Sequence, residues 1–206
     1  MLSFRSVNLE HPLLDFAGGV RGKVLEQLLE LNESVSRREL AAMLGIASGN
    51  ASAVIQELID SGLVIEDRQG RSSMVKINRL HLSVEFLVQI QRTKEVLIQR
   101  LKTRFLKIES ISHAWLFGSV ARGNSNGKSD IDLLIISKNL DDPALHQKLS
   151  ALDADVRNWT GNEIQFVEHT PETWKQVASS QNRLVQQIQK DGVCLKGPLL
   201  NFSGKK

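Results

Sequence analysis

Two neighbouring stretches of the chain decide the fold, Leu116-Phe117-Gly118-Ser119-Val120-Ala121-Arg122-Gly123 and Ser129-Asp130-Ile131-Asp132-Leu133-Leu134. The apolar start of the first stretch predicts a β-strand that ends at Phe117, then a turn at Gly118 and a helix beginning near Ser119. A glycine lets a phosphate come close to the backbone, and free N–H groups at a helix start, with the Ser119 hydroxyl, can bind it. The first stretch therefore predicts an anion-binding turn.

The second stretch predicts a metal site. Asp130 and Asp132 are two positions apart on a predicted strand, so both carboxylates project from the same face. Two like charges side by side repel each other unless a cation lies between them. Mg²⁺, or Mn²⁺ in its place, binds one or two carboxylates together with substrate phosphates, and such a metal stabilises charge during in-line displacement.

Taken in order, these residues resemble the G-S-x(3)-G…S-D-x-D signature of the DNA polymerase beta-like nucleotidyltransferase superfamily, particularly its minimal branch. The resemblance implies transfer of a nucleoside monophosphate from an NTP, with pyrophosphate leaving. It implies nucleotide binding by Gly118, Ser119, Arg122 and Ser129, and metal binding and catalysis by Asp130 and Asp132. Because minimal members often act as antitoxins, it also implies a toxin-like protein partner.

The sequence departs from the family pattern at the third carboxylate. Active members carry it on a later strand, where it completes the metal site and helps to deprotonate the acceptor. The matching segment here is 163–167, which has Gln165 at that position. Glu163 lies on the same predicted face, about 6.6 Å along the strand. Either Glu163 takes the catalytic role, or the site binds nucleotide and metal without efficient turnover.

Elements around the motif predict an α/β half, and the resemblance implies that its sheet is mixed and flanked by helices. Strands are expected at 113–117, 131–136, 163–167 and 193–195, and helices at 143–158 and within 171–190. A long apolar stripe over 82–109 predicts one connector helix, which also carries most of the basic excess of the chain. Basic helix faces are usually solvated, but this one is also a candidate for contact with nucleic acid.

The N-terminal half resembles a winged helix-turn-helix domain. Three short helical patterns occupy residues 20–60, and Ser36 precedes Glu39 at the spacing of a capping box. Gly45 is expected to end the second helix, and 48–61 is the expected recognition helix. The strand-like runs 63–65 and 74–77 predict a hairpin wing.

This resemblance implies binding to double-stranded DNA. The recognition helix is poor in cations, so base contacts fall to its polar side chains and phosphate contacts to arginines nearby. The expected DNA-binding residues are Arg37, Arg38, Ser48, Asn50, Ser52, Gln56, Arg68 and Arg71. A homodimer on a two-fold site is expected, with the connector helix as a candidate seam.

The expected fold class is α+β: a winged helix-turn-helix domain (1–80), a connector helix (81–109) and a C-terminal nucleotidyltransferase α/β domain with a mixed sheet (110–206). No apolar run is long enough to cross a bilayer, and the single cysteine excludes an internal disulfide, so we expect a cytoplasmic protein without membrane association. Three functions remain open: a nucleotidyltransferase guided by its DNA-binding half, a transcription regulator or antitoxin with a nucleotide-sensing half, and an interaction protein with a decayed site.

Overall fold

A computed structural model of the chain describes residues 6–69, 72–180 and 182–200. The described chain divides into two compact units. His11–Thr93 forms the N-terminal unit, and residues 6–10 together with 94–200 form the C-terminal unit. This division differs from the expected boundaries at 80/81 and 109/110, and the packing of two segments explains the difference. Leu9 is buried in the C-terminal core, whereas Val84 and Leu87 are buried in the N-terminal core.

The N-terminal unit has five helices and a small sheet within the described residues. The helices are α1 (Pro12–Ala17), α2 (Gly19–Glu30), α3 (Arg37–Met43), α4 (Ser48–Asp60) and α5 (Leu82–Gln91). The strands β1 (Val35–Ser36), β2 (Val64–Gln69) and β3 (Ser72–Ile77) pair antiparallel in the order β1-β3-β2. The predicted helix triplet and hairpin wing are confirmed, while α1 and β1 were not foreseen.

Local signals determine where α3 begins and ends. The Ser36 side chain accepts a hydrogen bond from the Glu39 backbone N–H at 3.2 Å, and the Glu39 carboxylate accepts one from the Ser36 N–H at 3.1 Å, which completes the predicted capping box. Past its other end, Gly45 has φ 61°, in the left-handed region that favours glycine. The turn between α3 and α4 therefore follows from the sequence.

The C-terminal unit is a four-stranded mixed sheet with helices on both faces. In chain order it contains α6 (Thr93–Leu106), β4 (Ile111–Phe117), α7 (Gly118–Arg122), β5 (Ile131–Ser137), α8 (Pro143–Thr160), β6 (Ile164–His169), α9 (Pro171–Ser179), α10 (Arg183–Asp191) and β7 (Val193–Lys196). The strand order is β6-β5-β4-β7, with β5 and β6 parallel and the other pairs antiparallel. The predicted mixed sheet is confirmed.

Strand β5 has a core on each of its faces, which explains its almost continuous apolar sequence. Leu133 and Ile135 pack in the core that contains α6 and α8, and Leu134 and Ile136 pack in the core that contains α9 and α10. Only Asp132 interrupts the buried run. Within the described residues, no helix combines the length and apolar character that crossing a membrane requires.

The predicted connector helix is wrong as a single element. Helix α5 ends at Gln91, and α6 begins at Thr93. The Arg92 N–H bonds to the carbonyls of Val88 and Gln89, and the Thr93 hydroxyl donates to the Ile90 carbonyl, so the last turn of α5 is closed by local bonds. The apolar stripe that suggested one helix belongs to two helices with separate cores.

Candidate nucleotide and DNA sites

The turn after β4 has the left-handed glycine and the helix start that the sequence predicts. Gly118 directly follows Phe117 and has φ 75°, a conformation that side chains other than glycine rarely adopt. Ser119 is half-buried at the start of α7. The short helix ends at Gly123, also left-handed at φ 78°, and the Asn124 N–H then donates to the Ser119 carbonyl at 3.1 Å.

The carboxylate of Asp132 lies against this turn. Asp132 pairs with Phe117 across the antiparallel β4–β5 ladder, one residue before Gly118. A β-carbon on Gly118 would come 1.8 Å from Oδ2 of Asp132 and 2.7 Å from its Cγ. Residue 118 therefore must lack a side chain both for its backbone conformation and for the approach of Asp132.

The environment of Asp132 disfavours its charged form. Burial, and then the negative charge of Asp130, raise the pKa of the Asp132 carboxyl, while the positive charge of Arg122 opposes the shift. Asp130 directly precedes β5 and is exposed. A cation between the two carboxylates would relieve this repulsion, and carboxylate oxygens are ligands that Mg²⁺ prefers. The donor chemistry of the pair therefore fits a divalent metal.

Ser129, an expected nucleotide ligand, has contacts within the loop before Asp130. Its hydroxyl accepts a hydrogen bond from the Asn126 N–H at 2.9 Å. Its carbonyl accepts one from the Asn162 side-chain amide at 3.0 Å, and Asn162 is only 2% exposed. The structure thus gives Ser129 a role in shaping the turn that leads to Asp130.

The residue beside Asp132 on the neighbouring strand is Gln165. These two residues are direct partners in the parallel β5–β6 pair. Glu163 lies just before β6, where its carbonyl accepts from the Ile131 N–H at 2.9 Å, but its carboxylate bonds to Arg157 at 2.7 Å. Among the described residues, no three His, Cys, Asp or Glu side chains are grouped so that they could hold a metal ion together.

Two of the expected DNA-binding side chains are bonded to each other. Arg37 donates to the Gln56 side-chain oxygen at 2.9 Å and forms an ion pair with Glu66 of β2 at 2.7 Å. Gln56 in turn donates to Asp60 at 2.8 Å. Arg37 and Gln56 therefore link α3, α4 and the wing in the described structure.

Other members of the expected DNA-binding set face solvent. Arg38, Ser48 and Asn50 are exposed, and Ser52 is half-buried. Arg71 lies outside the described residues, and so does the side chain of Arg68, whose backbone belongs to β2.

The basic stretch around α6 is partly neutralised within its own unit. The guanidinium groups of Arg100 and Arg104 lie 5.1 Å and 5.9 Å from the centre of the Trp159 ring. Arg104 also forms an ion pair with Asp155. These cations have packing roles, which weakens the expectation that the stretch contacts nucleic acid.

Sequence reasoning missed a cluster beside residues 123–129, the loop between α7 and Asp130. The Glu10 carboxylate accepts from Lys94 Nζ at 2.8 Å and from the Ser125 hydroxyl at 3.2 Å. Ser125 is only 7% exposed. Glu10 and Ser125 are 115 positions apart, so no local pattern in the sequence could have brought them together.

Family models match a part of each half of the chain. Residues 99–197 match the family model described as Polymerase beta, Nucleotidyltransferase. Residues 20–65 match the model described as Winged helix-turn-helix DNA-binding. No match was found among curated protein sequences. The two family matches confirm the resemblances and the α+β fold class predicted from the sequence.

Several solved structures are similar to part of the chain. A toxin–antitoxin with AMP-PNP is 21% identical, with 52% of this chain and 73% of that chain covered and a TM-score of 0.31. A mutant of the toxin–antitoxin MntA-HpeT is 19% identical, with coverage of 51% and 73% and a TM-score of 0.33. HmgR of Pseudomonas aeruginosa is 20% identical, with coverage of 48% and 40% and a TM-score of 0.29. Likeness at this level says nothing about what the chain binds.

Proposed function

We propose that this chain, which joins a winged helix-turn-helix domain to a nucleotidyltransferase domain of the polymerase beta type, binds an NTP with Mg²⁺ in its C-terminal unit and duplex DNA in its N-terminal unit. The observation that carries the nucleotide half is the position of the Asp132 carboxylate, directly against the Gly118 turn and beside Asp130. The arrangement supports the proposal, because it brings the turn that would bind phosphate next to the two carboxylates that would bind metal.

In this proposal Gly118 and Ser119 bind the phosphates, with Arg122 adding positive charge. Asp130 and Asp132 hold Mg²⁺ or Mn²⁺, because two neighbouring carboxylates suit a hard divalent cation that also binds phosphate oxygens. When bound, the metal would supply charge neutralisation at the phosphates during in-line displacement. Arg122 favours the ionised form of Asp132 that metal binding requires.

Turnover in this proposal is slow or absent. Gln165 is the strand partner of Asp132, where a third carboxylate would be expected, and a neutral amide is a poor base. The chain would then act as a transcription regulator or antitoxin whose C-terminal unit senses nucleotide. The toxin-like partner implied by the family resemblance remains a prediction.

A second function, efficient nucleotidyl transfer, is favoured by one observation. The backbone of Glu163 bonds to Ile131, which places Glu163 alongside Asp130 at the start of the neighbouring strand. If its carboxylate left Arg157, Glu163 could serve as the third carboxylate. Incubation of the protein with each labelled NTP and candidate acceptors separates the two functions, because only a transferase passes label to an acceptor.

DNA binding is proposed for the exposed surface around α4. Asn50 and Ser48 lie at the start of this helix and can reach base edges, while Arg38 is an exposed cation for phosphate.

A homodimer is proposed through helix α5. This helix exposes Leu82 and Phe86 at 77% and 69%, an apolar face that supports dimerisation.

Calorimetry with the intact protein tests the nucleotide half of the proposal. We expect each NTP to bind far better with Mg²⁺ or Mn²⁺ than with EDTA, and we expect Asp132→Ala to abolish the metal dependence without unfolding the protein. Equal affinity in wild type and Asp132→Ala would refute it. A mobility shift with the chain's own promoter DNA at physiological salt tests the winged half.

A further inference from the structure

Residues 6–10, the N-terminal strap, belong to the C-terminal unit although they precede the winged half in the sequence. The Val7 N–H donates to the Thr160 carbonyl at 2.8 Å, and the Ser6 hydroxyl donates to the Gly161 carbonyl at 3.0 Å. Leu9 is 2% exposed within the core of this unit. The strap is therefore an integral part of the nucleotidyltransferase unit.

The strap also runs beside residues 123–129, the loop that joins the Gly118 turn to Asp130. A β-carbon on Gly123 would meet Oε2 of Glu10 at 3.6 Å, and one on Gly127 would meet the Ser6 carbonyl oxygen at 3.4 Å. The Ser125 hydroxyl, buried in the middle of the loop, donates to Oε1 of Glu10. The strap thus lies close to Gly123 and Gly127, and it bonds to the loop through Ser125.

A second set of hydrogen bonds connects the strap to the residue before Asp130. Thr160 and Gly161, which the strap holds through their carbonyls, directly precede Asn162. The buried Asn162 amide donates to the Ser129 carbonyl, one residue before Asp130. Residues 6–10 are therefore connected to the loop directly through Ser125 and indirectly through Asn162.

We propose that Glu10, paired with Lys94, is a positioning residue of the nucleotide site, because it fixes the loop that sets the distance between the Gly118–Ser119 turn and Asp130. The two side chains are only 16% and 22% exposed, so this ion pair is better shielded than a surface pair. Glu10 acts through its hydrogen bond with Ser125 and does not itself touch nucleotide. This inference rests on the proposed function of the same site.

Glu10→Ala in the full-length chain tests the inference with two readouts. Hydrogen–deuterium exchange of the nucleotide-free protein should show faster exchange over 123–129. Affinity for Mg²⁺·NTP should fall between about ten- and a hundredfold, the range seen when residues that orient metal ligands are removed. Glu10→Gln keeps an acceptor for Ser125 and should lie between Glu10→Ala and wild type in both readouts.

Asp155→Ala is the matched control, because it removes an ion pair with Arg104 in the same unit away from the loop. If Glu10→Ala leaves loop exchange unchanged, or if both variants bind Mg²⁺·NTP equally well, the inference is overturned. A wild-type protein that binds no Mg²⁺·NTP would instead overturn the proposed function. The exchange readout, which needs no nucleotide, distinguishes these two failures.

Discussion

The Oδ2 atom of Asp132 occupies the space that a side chain on Gly118 would need, since a β-carbon there would lie 1.8 Å away. Gly118→Ala therefore has two costs: a left-handed backbone, about 1–2 kcal/mol for a residue with a β-carbon, and displacement of Asp132. We expect the variant to lose metal-dependent NTP binding and to unfold at lower urea than wild type.

Gly123→Ala separates these two costs. Its φ of 78° is similar, but its β-carbon would meet nothing closer than 3.6 Å. We expect Gly118→Ala to destabilise the protein more than Gly123→Ala does, and the excess to disappear in an Asp132→Ala background. If that background leaves the difference between the two glycine variants intact, the close approach of Asp132 is not its cause.

Asp132 should make stability depend on pH with an unusual sign for a carboxylate. Because its pKa is raised in the folded protein, the folded state holds the proton more tightly than the unfolded state does. Its contribution to stability is fully present below the ordinary carboxyl pKa and is lost as pH rises through the folded pKa. Asp132→Asn should therefore gain thermal stability over wild type as pH rises above the ordinary carboxyl pKa.

Glu39 offers the opposite case for comparison. Its hydrogen bonds with Ser36 lower the pKa of the Glu39 carboxyl. Its contribution is present above the ordinary pKa and is lost as pH falls through the lowered value. Glu39→Gln should thus lose stability relative to wild type as pH rises from the lowered pKa to the ordinary one, and it should keep that deficit at higher pH, where Asp132→Asn gains stability. Melting curves that shift in the same direction for both variants would contradict this assignment.

Gln165→Asp should increase metal affinity and raise any nucleotidyl transfer, because it adds a third carboxylate next to Asp132 on the neighbouring strand. Gln165→Asn, equal in size to the aspartate but neutral, is the control and should leave both unchanged. If Glu163 is the catalytic carboxylate, Glu163→Gln should instead slow the wild-type rate. The measurement is label transfer from each NTP at saturating Mg²⁺.

Arg37 and Arg38 are adjacent in sequence, but they should behave differently on substitution. Arg38→Ala removes an exposed cation, so DNA affinity should fall equally for all sequences and the salt dependence should flatten by about one phosphate contact. Arg37→Ala breaks the bonds to Gln56 and Glu66, so it should lower the melting temperature of the winged half. If Arg37→Ala instead weakens DNA binding without changing the melting temperature, Arg37 must leave Gln56 and Glu66 when the protein binds DNA.

When residues 11–93 are removed, the C-terminal unit should keep its full stability only if the strap is retained. A chain in which a short Gly-Ser linker joins Glu10 to Lys94 keeps Leu9 buried, whereas a fragment that begins at Lys94 does not. Burial of a leucine side chain stabilises by about 1.5–3 kcal/mol. We expect the linked chain to melt at a higher temperature than the fragment, as measured by circular dichroism.

Features encoded by neighbouring residues could be predicted from the sequence. The capping box of Ser36 and Glu39, the left-handed Gly45 and the strand-turn-helix around Gly118 each depend on residues a few positions apart. The alternation of two cores along β5 likewise follows from its apolar run, which only Asp132 interrupts.

Features that depend on distant residues could not be predicted. No sequence pattern joins Glu10 to Ser125, or Asn162 to Ser129, because only the folded chain brings them together. The break between α5 and α6 was missed because both helices continue the same apolar period, although they bury it in different cores. The ion pair between Arg37 and Glu66 was missed for the same reason, because only folding brings β2 next to α3.

The position of the strap also has a consequence for synthesis on the ribosome. Ser6 emerges early, yet its partner Gly161 follows 155 positions later, on the order of ten seconds at ~5–20 residues per second. The winged half, complete by Thr93, can fold within that interval while the strap has no partner. The C-terminal unit needs both residues 6–10 and residues 94–200, so its proposed nucleotide binding should be acquired after the proposed DNA binding during translation.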